Sequence, residues 1–314
     1  MNIILRGLIG SDPLGAVAAF GLLRVCSERP ALAGARLHWE WDQDWRAVLS
    51  TPDEISRDGL IDQLVEHQRD RSLDVFNWSE DIKMVPKDYR VQMLKHVTDA
   101  TLCNRLAADY FAAYGSEIVP DQSKGNVKPT AWHMTAGRQK FLKLIGKDLA
   151  KSMWNDKPKR APRDREQMMK SLTTKTADAY DEALFGPWRR MDNINSLGWD
   201  PSAKRLAAVR HLAPTNDVFH CARAAVWLAV EALPLYPTAA VSGKLLTTGF
   251  RATKPMMFVW PIWEPPISLD TLRTLIMTSE NKASLLKRGV TAIYHSERSE
   301  SSQGAAFLQP SSAE

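Results

Sequence analysis

Hydrophobic and polar positions along the chain mark out a series of helices and short strands. Leu14, Val17, Ala18, Leu22 and Val25 recur at helical spacing, Ser11 or Asp12 can cap that helix, and Pro13 suits its first turn. Gly15, Ala16, Ala19 and Gly21 on the same stretch leave room for another element to pack closely. Leu37-His38-Trp39-Glu40-Trp41 alternates, the period of a half-buried strand. Thr51-Pro52-Asp53-Glu54 reads as a capping box for a helix carrying Ile55, Ile61, Leu64 and Val65. A further helix is predicted over roughly 89–114, turning Val91, Leu94, Val97, Leu102, Leu106 and Phe111 mostly inward. The polar stretch from Asp121 to Thr130 reads as a loop.

Two helices are predicted over 135–154 and 164–185, parted by a loop from Asn155 to Arg163 in which Pro158 and Pro162 break any helix. The Gly-, Pro- and Asn-rich stretch from Gly186 to Pro201 reads as a boundary between two halves. Beyond it the pattern predicts a strand at 205–210, an apolar helix over 217–233 stopped by Pro234, and paired strands at 244–250 and 256–263. A helix capped by Ser268 follows to about 278, then a shorter one near 282–288 and a brief strand at 290–294. No internal repeat of solenoid length is present. The expected fold class is α+β, helix-rich, with short antiparallel strands mainly in the C-terminal half. The expected organisation is a helix-rich region over 1–185, an α+β region over 186–295 and a disordered Ser/Glu/Gln-rich tail over 296–314.

Composition narrows the class. The 314 residues are 44% hydrophobic and 25% charged, as in a soluble globular protein. No apolar run approaches the roughly 18–20 residues of a membrane span, and the N-terminus lacks the apolar core and cleavage site of a secretory signal. The three cysteines, Cys26, Cys103 and Cys221, are odd in number and widely spaced. That argues against both a disulfide framework and a structural zinc site, and a reducing cytoplasm fits best.

Charge changes the picture more. Between Lys124 and Lys175 there are fourteen Lys and Arg residues against four acids, a net of +10, although the whole chain carries only +5. The stretch from Glu40 to Arg90 is the counterweight, with thirteen acids against seven bases. A concentrated positive field attracts polyanions. Within it, Lys140, Lys143, Lys147 and Lys151 are spaced 3, 4 and 4 apart, which places them within about 80° of each other on an α-helix. Phe141, Ile145, Leu149 and Met153 take the other side. Such a row can follow a phosphate backbone and release its counterions. Lys157, Lys159, Arg160, Arg163 and Arg165 extend the charge into the adjoining loop, and Trp132 and Trp154 flank the region as candidates for stacking on bases. An amphipathic helix with a solvated basic face explains the row alone; the added loop charge turns the reading toward nucleic acid.

Other motifs carry less chemistry. Gly7-Leu8-Ile9-Gly10-Ser11-Asp12-Pro13-Leu14-Gly15 lacks the Gly-Lys-Ser/Thr ending of a P-loop and the spacing of a dinucleotide-binding turn, so it reads as a strand–turn–helix entry. The seven histidines form no metal-ligand pattern, and the cysteines lie in apolar stretches as inert thiols. No cofactor or metal is expected. Trp188-Arg189-Arg190 and the run Trp260-Pro261-Ile262-Trp263 either line a base-stacking or partner surface or fill the core.

Ser11-Asp12-Pro13-Leu14-Gly15 leading into Ala18-Ala19-Phe20-Gly21-Leu22-Leu23-Arg24 resembles an opening seen in large-subunit proteins of type I-G (formerly I-U) CRISPR effector complexes. Leu197-Gly198-Trp199-Asp200-Pro201, Glu231-Ala232-Leu233-Pro234-Leu235-Tyr236-Pro237, Thr247-Thr248-Gly249-Phe250 and the stretch from Trp260 to Asp270 continue the likeness, leaving the basic middle unmatched. The resemblance implies a non-catalytic subunit beside the guide RNA that helps recognise the motif flanking the target and holds the separated DNA strands. Its expected partners are guide RNA or target DNA and the other effector subunits, in the cytoplasm and away from membranes.

The expected function is therefore a non-catalytic nucleic-acid-binding subunit. In it, lysines hold backbone without reading sequence, and Arg160, Arg163 and Arg165 are placed to enter a groove. The alternative is a protein-interaction scaffold that docks an acidic partner without touching nucleic acid. An enzyme would need scattered groups such as Asp200, His211, His220 and Glu231 to converge in one pocket.

Overall fold

The alternating Ile3 and Leu5 start β1 (Asn2–Ile9) with one face inward, and Asp12 then caps α1 (Pro13–Glu28) by accepting the Gly15 N–H at 2.8 Å. The fold is a computed structural model describing residues 1–98, 105–121, 124–135, 137–154, 176–203, 220–278, 282–301 and 304–312. β2 (Arg36–Asp42) and β3 (Asp44–Ser50) form a hairpin, and β3 lies between β1 and β2 in an antiparallel sheet. Every residue of α1 from Pro13 to Cys26 is buried, so this helix is apolar on nearly every side, Arg24 excepted, because it is surrounded.

Next come α2 (Arg57–Asp70), the single turn α3 (Asp74–Asn77), α4 (Pro86–Thr98) and α5 (Arg105–Tyr114). Ser56, not Thr51, caps α2, accepting the Gly59 N–H at 3.0 Å, because the Thr51 hydroxyl is spent on the Asp53 carbonyl at the end of β3. The helix expected over 89–114 is described as α4 and α5, and Val91 and Leu94 face solvent. The expected loop at Asp121–Thr130 contains a strand: β4 (Gly115–Pro120) pairs with β5 (Val127–Pro129).

The basic helix α6 is continuous over 141–154, in three pieces: Phe141–Lys143, a π-helical segment Leu144–Leu149, and Ala150–Trp154. α7 (Thr176–Phe185) follows, and α8 (Arg223–Glu231) packs against α1 at Gly21, where a Cβ would stand 1.8 Å from the Leu228 carbonyl oxygen. Only glycine allows that approach. The strand expected at 205–210 lies outside the described residues.

β6 (Thr238–Val241) and β7 (Lys244–Thr247) close a hairpin on Ser242 and Gly243, both with left-handed φ. That turn takes Lys244–Thr247 away from the expected pairing. Of the stretch expected to pair, only its end, Phe250 in β8 (Phe250–Arg251), lies against β9 (Met257–Trp263). Ser268 caps α9 (Leu269–Met277) as expected, and α10 (Lys282–Leu286) leads into β10 (Val290–Ser301). The described residues of the expected disordered tail form strands instead. β10 runs through Ser296, pairs with β9, and is joined by β11 (Gly304–Phe307) and β12 (Ser311–Ser312). Phe307 is its anchor, buried against the Phe258 ring at 5.3 Å.

The sheets are stitched together. Leu37 and Ile267 exchange backbone hydrogen bonds at 3.0 Å, and the Trp263 and Trp260 indoles donate to the Leu37 and Gly10 carbonyls at 2.8 and 2.7 Å. One core cluster runs from Ile3 to Phe307. The stretch expected to be a boundary is packed into it: Asp192 and Cys221 exchange backbone hydrogen bonds, and Leu197 and Trp199 are buried. The result is α+β, helix-rich, with most strands in the C-terminal half. Among the described residues no helix is long and apolar enough to cross a membrane.

Candidate nucleic-acid interface

On α6, Phe141, Ile145, Leu149 and Met153 are buried, while Lys143, Lys147 and Lys151 are exposed. Both rows keep a spacing of four. In a pure α-helix each four-residue step drifts about 40° around the axis, and the wider turn of the π segment reduces that drift, so each row stays on its own side. Gly146 sits in this segment against α3, where a Cβ would lie 2.5 Å from Asn77 Oδ1. Lys140 precedes the first turn of the helix without capping it and is half-buried. Lys143 pairs with Glu80 at 3.6 Å with both side chains largely in water, so the pair neutralises little. Among the described residues no carboxylate comes within ion-pair distance of Lys147 or Lys151, although exposed Asp148 lies between them in sequence.

Lys157, Lys159, Arg160, Arg163 and Arg165 lie outside the described residues. Trp154 is the last residue of α6. Trp132 is not available to stack on bases. It is fully buried, with ring centroids of Tyr236 and Phe258 at 4.9 Å, Phe250 at 5.1 Å and Trp199 at 5.4 Å. Its place beside the basic segment in sequence masked its role as the centre of an aromatic core. Trp260 and Trp263 are core residues too.

Among the described residues, the groups an enzyme would have needed have separate partners. His211 is outside the described residues, and His220 is exposed. Glu231 is buried at the end of α8, where Arg24 binds both its carboxylate and its carbonyl, the Arg71 Nε donates to it at 3.0 Å and the Tyr110 hydroxyl at 3.2 Å. Burial alone would raise its carboxyl, but the Arg71 and Arg24 guanidiniums hold it down to about 2. Asp200, also buried, accepts instead from Arg190 Nε at 2.9 Å and from the Ser202 backbone and hydroxyl. Burial disfavours the thiolate of the two described cysteines, pushing Cys26 up to about 12 and Cys221 up as well.

A second basic site went unseen in the sequence. β1 bulges between Leu5 and Ile9, whose partners on β3 are the adjacent Ala47 and Arg46. The bulge fits because Gly7 presses on α7: a Cβ there would lie 2.4 Å from the Ala183 carbonyl oxygen. It brings Arg6 beside Arg46, whose guanidinium donates to the Arg6 carbonyl at 3.1 Å. Together with Asp12, Asp42, Trp188 and Arg190, these residues line a cleft of about 560 Å³. Glu182 holds the turn after α7 by accepting the Arg189 and Arg190 N–H groups at 2.7 and 3.1 Å. Arg190 adopts a left-handed φ of 54° and lays its guanidinium over the Trp188 ring at 5.5 Å. The Asp12 carboxyl is raised to about 7, by burial first and by Asp200 nearby, against the Gly15 hydrogen bond and Arg190. Three arginines so far apart in sequence left no local signal beyond Trp188-Arg189-Arg190.

No family model, no curated protein and no solved structure matches this chain.

Proposed function

We propose that the chain is a non-catalytic nucleic-acid-binding subunit of a CRISPR RNA-guided antiviral effector complex, acting in the cytoplasm with guide RNA or target DNA and the other effector subunits. The observation that carries the nucleic-acid part is the exposed row Lys143, Lys147 and Lys151 on a helix whose opposite row is buried. Ammonium groups on a rigid helix suit backbone holding, with sequence left to base pairing. The family part rests on the resembling stretches of sequence, which the fold brings into contact. Gly10, beside the first of them, accepts the Trp260 indole of the last, and Arg24 of α1 binds Glu231.

Binding of a labelled single strand and a labelled duplex tests this. Reversing Lys143, Lys147 and Lys151 to Glu together is expected to weaken binding at low salt by about tenfold or more and to flatten the duplex salt dependence by about two to three in log–log slope. Circular dichroism should be unchanged, because the three side chains point to water. Unchanged affinity at low salt would overturn the reading. The scaffold alternative is favoured by one observation, the exposed Val85, Val91, Leu94 and Ile118 on and near α4. It would gain if the purified protein carries no nucleic acid and substitutions on that patch abolish subunit association.

A further inference from the structure

We propose that the arginine-lined cleft at the start of α1 binds one nucleotide unit of a single strand, its phosphate held by Arg6 and Arg46 and its base lying along Trp188 and Arg190. The cleft's volume, about 560 Å³, is that of a small-molecule site. Part of its lining is a bulge, the device by which strands re-aim side chains, and there Arg6 and Arg46 both line the cleft, the Arg46 guanidinium reaching the Arg6 carbonyl. Arginine forks suit a phosphate's oxygens, and Arg46 spends only one of its donors in bonding the Arg6 carbonyl.

Also lining the cleft, Trp188 is tied by its indole to the Ala183 carbonyl at 3.0 Å and carries Arg190 over its ring, so an aromatic–guanidinium stack is already assembled. Bases stack on both kinds of plane. Arg190 is locked in place by Asp200 at 2.9 Å and holds a backbone conformation that non-glycine residues seldom adopt. Opposing charge is limited. Asp42 lies 4.0 Å from Arg6 with both side chains well exposed, and Asp12 is pushed toward its neutral form. The site does not depend on the lysine row of α6 and stands if that row proves idle.

The test is equilibrium dialysis of the full chain with adenosine monophosphate, adenosine and inorganic phosphate, and with Arg6→Ala, Arg46→Ala, Trp188→Leu and the Lys143/Lys147/Lys151→Glu triple variant. Adenosine monophosphate is expected to saturate one site. Either arginine change should weaken it by about tenfold, as should loss of the base or of the phosphate from the ligand. The lysine variant should leave it unchanged whether or not that variant loses long strands. Arg46→Lys, which keeps the charge and the fold but not the fork, is expected to fall between wild type and Arg46→Ala. No saturation by about 10 mM would overturn the proposal, as would binding indifferent to Arg46, binding of phosphate as tight as of the nucleotide, or binding lost with the lysines.

Discussion

Glu231 and Asp12 are two acids enclosed by the same central helix bundle and sheet, and their surroundings drive them in opposite directions. Glu231 meets Arg24 and Arg71 from two other helical regions, with Tyr110 closing the shell, and stays ionised down to about 2. Asp12 meets a backbone N–H and a second carboxylate, Asp200, whose own arginine is already engaged, and it takes up a proton near 7. Burial opposes the charged form in both places, and the number of cations in reach decides the outcome. The first cluster is closed, its charges spent on one another in holding α1, α5 and α8 together. The second opens onto a cleft where guanidiniums still face water. Buried pairing makes structure; incomplete pairing beside a cleft is what a ligand can complete.

The largest expected effect lies on the closed side. Glu231→Gln leaves Arg24 and Arg71 buried without their shared counter-charge and should cost about 3–5 kcal/mol in urea unfolding. A cost under about 1 kcal/mol would show that water or Glu28 replaces the lost charge, and the contrast with Asp12 would collapse. A pH series sharpens the same comparison. Because the folded-state pKa of Glu231 lies below its ordinary 4.5, its contribution is present above that value and is lost as pH falls toward about 2. Glu28, held low by His67 and Arg24 against its burial, adds in the same direction. Acid unfolding of the wild type should therefore be steep below about pH 4, and Glu231→Gln should flatten it.

How much of this could be read from the residues alone follows from the range of each interaction. Local signals were legible. Asp12 and Pro13 start α1, Ser268 starts α9, the alternation over Leu37–Trp41 is a strand, and the apolar row of α6 is buried. Where a local signal had a competitor, it lost: Thr51 was taken by a strand end, and Lys244–Thr247 followed the Ser242-Gly243 turn back to β6. The tail misled through composition, because two-strand pairing and a single buried Phe307 outweigh a polar sequence. Trp132 misled through proximity, since lying next to lysines in sequence says nothing about which way a ring points. The cleft was the hardest to see. Arg6, Arg46 and Arg190 come from three separate elements, and only a bulge and a strained turn bring them together.

The smallest expected effect is on the open side, and its sign is the informative part. Asp12 caps α1 through the Gly15 N–H, and losing a cap ordinarily destabilises a helix by about 1 kcal/mol. Asn caps as well as Asp, so Asp12→Asn keeps that hydrogen bond and removes only the charge. The folded-state pKa is raised from 3.8 to about 7, so between those values the folded protein holds a proton that the unfolded chain releases. Stability therefore falls as pH rises through that window. Asp12→Asn should accordingly raise stability at pH 8 by about 1 kcal/mol, discounted from the full linkage figure because the cleft admits water, and should change little near pH 4. Thermal melts at the two pH values check this. A variant less stable at pH 8 would mean that Asp12 is held there as an anion, paired with Arg190, and that the cleft is closed by charge in the way Glu231's cluster is.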